Sequence, residues 1–215
     1  MLDVRYLLMQ CREISEWYSQ CSETENTLSY LFSSVVPNKR IEKRIELSVL
    51  SEEELADTAS DELEKIRKKI IRSGMKVREH LDKMIKSSRV QKSLQENIVT
   101  IRDGRYVLPV KAEHKNNVEG LVHDVSSSGS TLFIEPMAVV EENNNIRVLK
   151  ALEQEEIERI IKEISAECGA FAEQLIRNMS YIAELNLYFS KADLGIEMRG
   201  SVANITDSGK VILKK

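Results

Sequence analysis

Little in this sequence interrupts a chain. Three prolines and eight glycines in 215 residues favour long uninterrupted elements over a patchwork of turns. Aromatic residues reach only 5% against 31% charged, a balance that suits solvated helices paired along narrow seams better than a thick globular core. The three cysteines, Cys11, Cys21 and Cys168, form no CxxC pair and are odd in number. Neither a zinc site nor a disulfide framework is expected, and reduced thiols fit a cytoplasmic setting. No apolar run approaches the roughly 18 residues of a membrane span, and Met1-Leu2-Asp3-Val4-Arg5 lacks the basic-then-apolar order of a signal peptide. A soluble protein without a membrane partner is the expectation.

What is present is charge of both signs, unevenly spread. The net charge of −4 argues against a uniformly basic coat. Residues 65–92, however, carry eleven Lys and Arg against Glu79 and Asp82, a local balance of +9. Residues 135–167 carry nine Glu against four cations, a balance of −5. Oppositely charged helices can set each other's pairing and orientation.

The apolar periodicity divides the chain further. Residues 1–56 read as short helices, from Asp3 to about Gln20, from about Glu23 to Phe32, and after Pro37-Asn38. Leu7, Cys11, Ile14 and Tyr18 recur at helical spacing and should face a core, where Trp17 is expected as a packing residue. Asp57-Thr58-Ala59-Ser60 supplies capping side chains for a helix within residues 57–96, and Asp61, Glu62 and Glu64 fill its first turn. From there Leu63, Ile66, Ile70, Gly74, Val77, Leu81 and Met84 step alternately by three and four, a coiled-coil seam. Gly74 weakens the helix by about 1 kcal/mol relative to Ala but admits a close neighbour, a backbone or a large side chain.

Residues 97–136 change period. Ile98 to Arg102 and Arg105 to Lys111 are strand-like runs joined by Asp103-Gly104, the dipeptide that a two-residue hairpin turn prefers. Pro109 cannot donate to a ladder, so an edge is expected there. A second pair, Glu119 to Val125 and Ser130 to Ile134, flanks a Ser126-Ser127-Ser128-Gly129 turn. Residues 137–200 return to helical spacing, with a possible bend at Cys168-Gly169. In residues 201–215, Val202 to Ile205 and Lys210 to Leu213 look like strand fragments leading into a further domain. The fold class expected is mainly α: a helical core, two long antiparallel helices, and a small antiparallel β unit inserted between them.

Catalytic chemistry finds no foothold. His123 and Asp124, adjacent on a strand, should point to opposite faces, and no strand–Ser–helix elbow exists for a hydrolase. Gly129-Ser130-Thr131 lacks the Gly-Lys-Ser/Thr that opens a helix in a P-loop. His80, His114 and His123 lack metal-ligand spacing, and His80 should face solvent. Neither catalytic residue, metal nor cofactor is therefore expected in this chain. Binding is better represented. Arg102, Arg105, Lys111 and Lys115, with Tyr106 and His114 among them, suit contacts to a phosphate backbone. Asp103, Glu113, Glu119 and Asp124 cancel their charge, so a solvated β surface fits the same residues. The hydroxyls of Ser126, Ser127, Ser128 and Thr131 could cradle a phosphate or simply form a polar turn.

Asp57-Thr58-Ala59-Ser60-Asp61-Glu62-Leu63, the run Ile98 to Lys111, and Gly120-Leu121-Val122-His123-Asp124 through Ile134-Glu135-Pro136 together resemble the MutS-related family of the second type, the bacterial paralogues linked to suppressing recombination. The resemblance covers nearly the whole chain, more loosely over the first 50 residues. It implies a core and lever of helices, with the β unit as a clamp that closes around double-stranded or branched DNA without reading sequence. Arg102, Arg105, Lys111, Lys115, His123, Ser126, Ser127, Ser128 and Thr131 become the implied nucleic-acid contacts. An ATPase using ATP and Mg, a homodimer held by it, and an endonuclease domain are implied for the full-length relative. A family role on ribosomes would use the same grip on rRNA or protein. The rival expectation is a helical interaction scaffold that binds a protein or ribosomal partner.

Overall fold

Ser60 shows how the sequence sets the main helix. Its hydroxyl accepts a hydrogen bond from the Leu63 N–H at 3.0 Å, and Asp61, Glu62 and Glu64 complement the positive end of the helix that follows. The computed structural model describes residues 1–21, 26–201 and 207. Within them run α1 (Leu2–Gln20), α2 (Ser29–Ser34), α3 (Lys39–Ser48), α4 (Asp61–Ile85) and α5 (Ser88–Gln91). Then come β1 (Thr100–Arg102), β2 (Arg105–Lys111), β3 (Gly120–Val125) and β4 (Thr131–Pro136), followed by α6 (Val140–Ala170) and α7 (Ala172–Glu197). Short 3-10 stretches occupy Asp57–Ala59, Ala112–Asn117, which is kinked at His114, and Met137–Val139. The chain is mainly helical with one small four-stranded antiparallel sheet.

Two compact units divide it: Met1–Arg44 with Ala166–Lys215, and Ile45–Ser165. In the first, Leu8 and Cys11 of α1, Leu31 of α2 and Leu185 of α7 are buried. Tyr18 stacks on Phe32 with ring centroids 5.1 Å apart. The buried Asn178 carboxamide accepts from the Val36 N–H at 3.0 Å and donates to the Val36 carbonyl at 2.7 Å, pinning the segment after α2. Leu8 is fully buried where Leu7 was expected, and Trp17 packs on Phe32 yet stays 53% exposed.

The second unit holds the sheet between α4 and α6. Leu63, Ile66, Val77 and Leu81 of the seam are buried, with Ile70 and Met84 packed partly against the core. Arg67 pairs with Glu153 at 2.7 Å, Asn145 donates to Ser73 at 3.2 Å, and Lys76 meets Glu142 at 3.6 Å. Partners ascend on α4 as they descend on α6, so the two segments pair antiparallel. The opposite charges contribute less to this pairing than the sequence suggests, because among the described residues Arg67 and Lys76 alone of the basic stretch reach carboxylates of α6.

Strand order is β1-β2-β4-β3, all antiparallel. Asp103 and Gly104 both have positive φ, 48° and 75°, the two-residue turn that their sequence predicts. Even-numbered residues of β2 and β4 face the helices: Leu108, Val110 and Ile134 join Val77, Leu81 and Ile146 in one cluster. Tyr106 reaches α4, where a Cβ on Gly74 would lie 2.9 Å from its hydroxyl oxygen. Glycine on the seam thus makes room for a tyrosine of the sheet. Pro109 sits where β1 has ended, and the chain itself fills the gap: Gln95 N–H donates to the Pro109 carbonyl at 2.8 Å and Lys111 N–H to Ser93 at 2.9 Å.

Three expectations are corrected. The stretch after residue 137 is two helices; Gly169 is helical, and the break falls at Phe171, whose φ of −108° and ψ of 8° leave the helical range. β4 extends through Glu135-Pro136, which the sequence reading placed outside the strand. His123 and Asp124 do not lie on opposite faces, because a β-bulge between Val122 and Asp124 shifts the register and lets both side chains engage the same face. The strand-like runs Val202 to Ile205 and Lys210 to Leu213 lie outside the described residues.

Candidate nucleic-acid interface

The face of the sheet turned away from the core carries the odd-numbered residues of β2 and β4, together with Arg102 of β1. Glu135 lies at its centre, fully buried. It accepts from Arg105 at 2.9 and 3.1 Å, from Asn143 at 2.6 Å, and meets the His123 ring. Arg105 also donates to Asn144 at 2.7 Å. The Asn143 carboxamide accepts from the Tyr106 N–H at 3.2 Å and donates to its carbonyl at 3.1 Å. Asn143 therefore stands where a further residue of β4 would pair, and ties the sheet to the start of α6.

This arrangement decides what Arg105 can do. Its side chain is only 14% exposed, and breaking a buried pair by removing one partner costs about 3–5 kcal/mol. Arg105 and His123 are both held by Glu135, and a phosphate at either would have to displace that carboxylate. Arg102 is partly occupied as well: its guanidinium lies 4.1 Å from the centroid of Phe133 and 3.3 Å from Asp124. Arg102 keeps 40% of its side chain exposed and remains reachable.

The serine turn is built from its own hydroxyls. Thr131 N–H donates to Ser126 Oγ at 3.0 Å, Gly129 N–H to the Ser126 carbonyl at 2.8 Å, and the Ser128 and Ser130 hydroxyls meet at 2.7 Å. Gly129 has a φ of 72°. Thr131 is buried, whereas Ser127 and Ser128 are exposed at the tip. Lys111 and Lys115 differ from the arginines, since neither meets a carboxylate among the described residues. Lys115 is exposed on the 3-10 turn after β2, at the rim of a cleft that Arg89 also lines. His80 is exposed, and among the described residues no group of three or more His, Cys, Asp or Glu could hold a metal ion. No helix among them is long and apolar enough to cross a membrane.

Sequence reasoning missed the Glu135–Asn143 network. Two signals were available: a carboxylate inside the apolar run Leu132-Phe133-Ile134-Glu135-Pro136, and three successive asparagines at 143–145 where a helix begins. Arg89 was counted in the basic stretch but not placed beside Lys115, because the two meet only through the fold.

Fold and charge define a helical segment that carries a small antiparallel sheet, whose central Arg105 is neutralised by Glu135 and whose Lys111 and Lys115 meet no carboxylate among the described residues. The chain is related to proteins named Endonuclease MutS2. The one from Ruminiclostridium cellulolyticum is 46% identical over 185 residues, 86% of this chain and 23% of that protein. That from Clostridioides difficile is 47% identical over 79% of this chain, and that from Alkaliphilus metalliredigens is 39% identical over all of it. The chain spans about a quarter of the length of the curated relatives it matches. No protein-family model matches it.

Proposed function

We propose that this chain is the nonspecific DNA-binding lever and clamp segment of a MutS-like dimeric ATPase that acts on branched or recombining DNA. The observation that carries the reading is its relatedness to nearly a quarter of proteins whose name is endonuclease, over 79–100% of this chain. An enzyme of that name handles nucleic acid. A sheet carried between antiparallel helices supports a gripping rather than a cutting role for this quarter. Hydrolysis of ATP with Mg, endonuclease chemistry and dimerisation then belong to the remaining length of the relatives. The serine turn of this chain does not fit a nucleoside triphosphate, because the Ser126, Ser128 and Ser130 hydroxyls bond one another and no lysine stands on it.

Binding should be electrostatic and steeply salt-dependent, since phosphates rather than base edges are contacted. Titration of a labelled duplex with the chain, repeated between about 50 and 200 mM salt, should show affinity falling on a straight log–log line. Equal affinity across that range, or preference for one sequence over another, would refute the reading.

A further inference from the structure

We propose that the cleft shared by the α5 segment and the turn between β2 and β3 seats a phosphodiester strand, with Arg89 and Lys115 as its principal contacts. The inference rests on the nucleic-acid reading above and names where that grip is made. The cleft is open to solvent and offers about 680 Å³, within the range of ligand sites and far more than one phosphate needs. Ser87 and Arg89 line it from one segment, Lys115 and Asn116 from another, Val118 lies among them, and Glu119 adds one carboxylate.

Three observations favour this cleft over the sheet's outer face. Arg102 and Arg105 are engaged by Asp124 and Glu135, whereas Arg89 and Lys115 are exposed and meet no carboxylate among the described residues. Both cations are carried by separate backbone segments that converge on one concavity, which places charge on two sides of a bound chain. Arg89 also lies near the end of the basic stretch of residues 65–92, in which Lys86 and Lys92 flank it, both exposed and without a carboxylate partner among the described residues. The hydroxyl of Ser87 and the carboxamide of Asn116 add neutral donors of the kind that bond phosphate oxygens. An acidic protein surface is the other polyanion that the cleft could meet, and competition separates the two.

The test is fluorescence anisotropy with a labelled oligonucleotide, single-stranded and duplex, at several salt concentrations. Arg89→Glu and Lys115→Glu should each weaken binding by about 5- to 10-fold, and the double variant should reduce the salt slope by about 1.5 to 2, as expected for two lost phosphate contacts. Glu119→Gln should tighten binding about twofold, and Lys111→Glu should change it by less than that of either cleft variant. All four positions are exposed or half-buried, and circular dichroism with a thermal melt verifies folding. Unaltered binding by the double variant, with loss instead in Lys111→Glu or Arg102→Glu, would overturn the cleft while leaving the nucleic-acid reading intact. Absence of salt-sensitive binding by the unaltered chain would overturn both. Displacement of the oligonucleotide by polyglutamate at equal charge concentration would assign the cleft to an acidic protein and overturn the proposal.

Discussion

Gly74 and Tyr106 meet because the helix has no side chain where the tyrosine hydroxyl arrives. Gly74→Ala gains about 1 kcal/mol of helix propensity but pushes on that hydroxyl, so chemical denaturation should find it near neutral. In a Tyr106→Phe background the same change should stabilise by about 1 kcal/mol, and an equal effect in both backgrounds would show that the two residues do not touch. Glu135 is the other decisive residue. Glu135→Ala leaves Arg105 buried and unpaired and should cost about 3–5 kcal/mol in the same measurement. A loss under about 1 kcal/mol, the range of an exposed pair, would mean that water reaches the cluster. Legibility differed sharply between these two sites. Gly74 announced itself through the three-four spacing of its neighbours, a local property. The partner of Arg105 lies thirty residues away on another strand, and nothing local distinguishes a cation bound for a buried carboxylate from one bound for a phosphate.

Elements were the most legible scale. The cap at Ser60, the hairpin at Asp103-Gly104 and the four strands followed from capping and turn chemistry and from period, which act over a few residues. The bulge at His123 did not, because it is set by pairing with β4 and by the pull of Glu135 and Arg102 on two adjacent side chains. The break at Phe171 falls two residues beyond the Cys168-Gly169 pair that the sequence offers as a bend, so its neighbourhood was legible and its exact position was not. The hairpin gives a direct test: Gly104→Ala forces a side chain into positive φ and should destabilise by about 1–2 kcal/mol, whereas Asp103→Asn should be tolerated. At the start of α4, Ser60 donates to Glu156 at 2.6 Å while capping Leu63. Hydrogen bonds from Arg159, then from Ser60, hold the Glu156 carboxyl down to about 2 from its ordinary 4.5. A depressed folded-state value contributes stability that is present above the unfolded value and is lost as pH falls toward the folded one. The stability advantage of the unaltered chain over Glu156→Gln should therefore hold at neutral pH and shrink between about pH 4.5 and 2. A pH-independent difference would assign the effect to packing.

At the scale of the molecule, charge is partitioned rather than summed. A net −4 conceals a +9 stretch that, among the described residues, α6 neutralises at two points, Arg67 and Lys76. One copy should grip nucleic acid weakly, and two tethered copies should gain from effective concentration. Fusing the chain to a dimerising helix should raise apparent affinity for a long duplex by about 10²–10⁴, provided both copies reach it; no gain would argue against paired clamps. The same scale shows where the sheet has no freedom. A Cβ at Gly120 would fall 2.2 Å from the Glu135 carbonyl oxygen, so β3 and β4 close on each other at that corner with backbone alone. Any lengthening of this module must consequently occur at its opposite extremity, the serine tip around 126–130. A peptide inserted there should leave the remainder folded, and one inserted at 120 should unzip it.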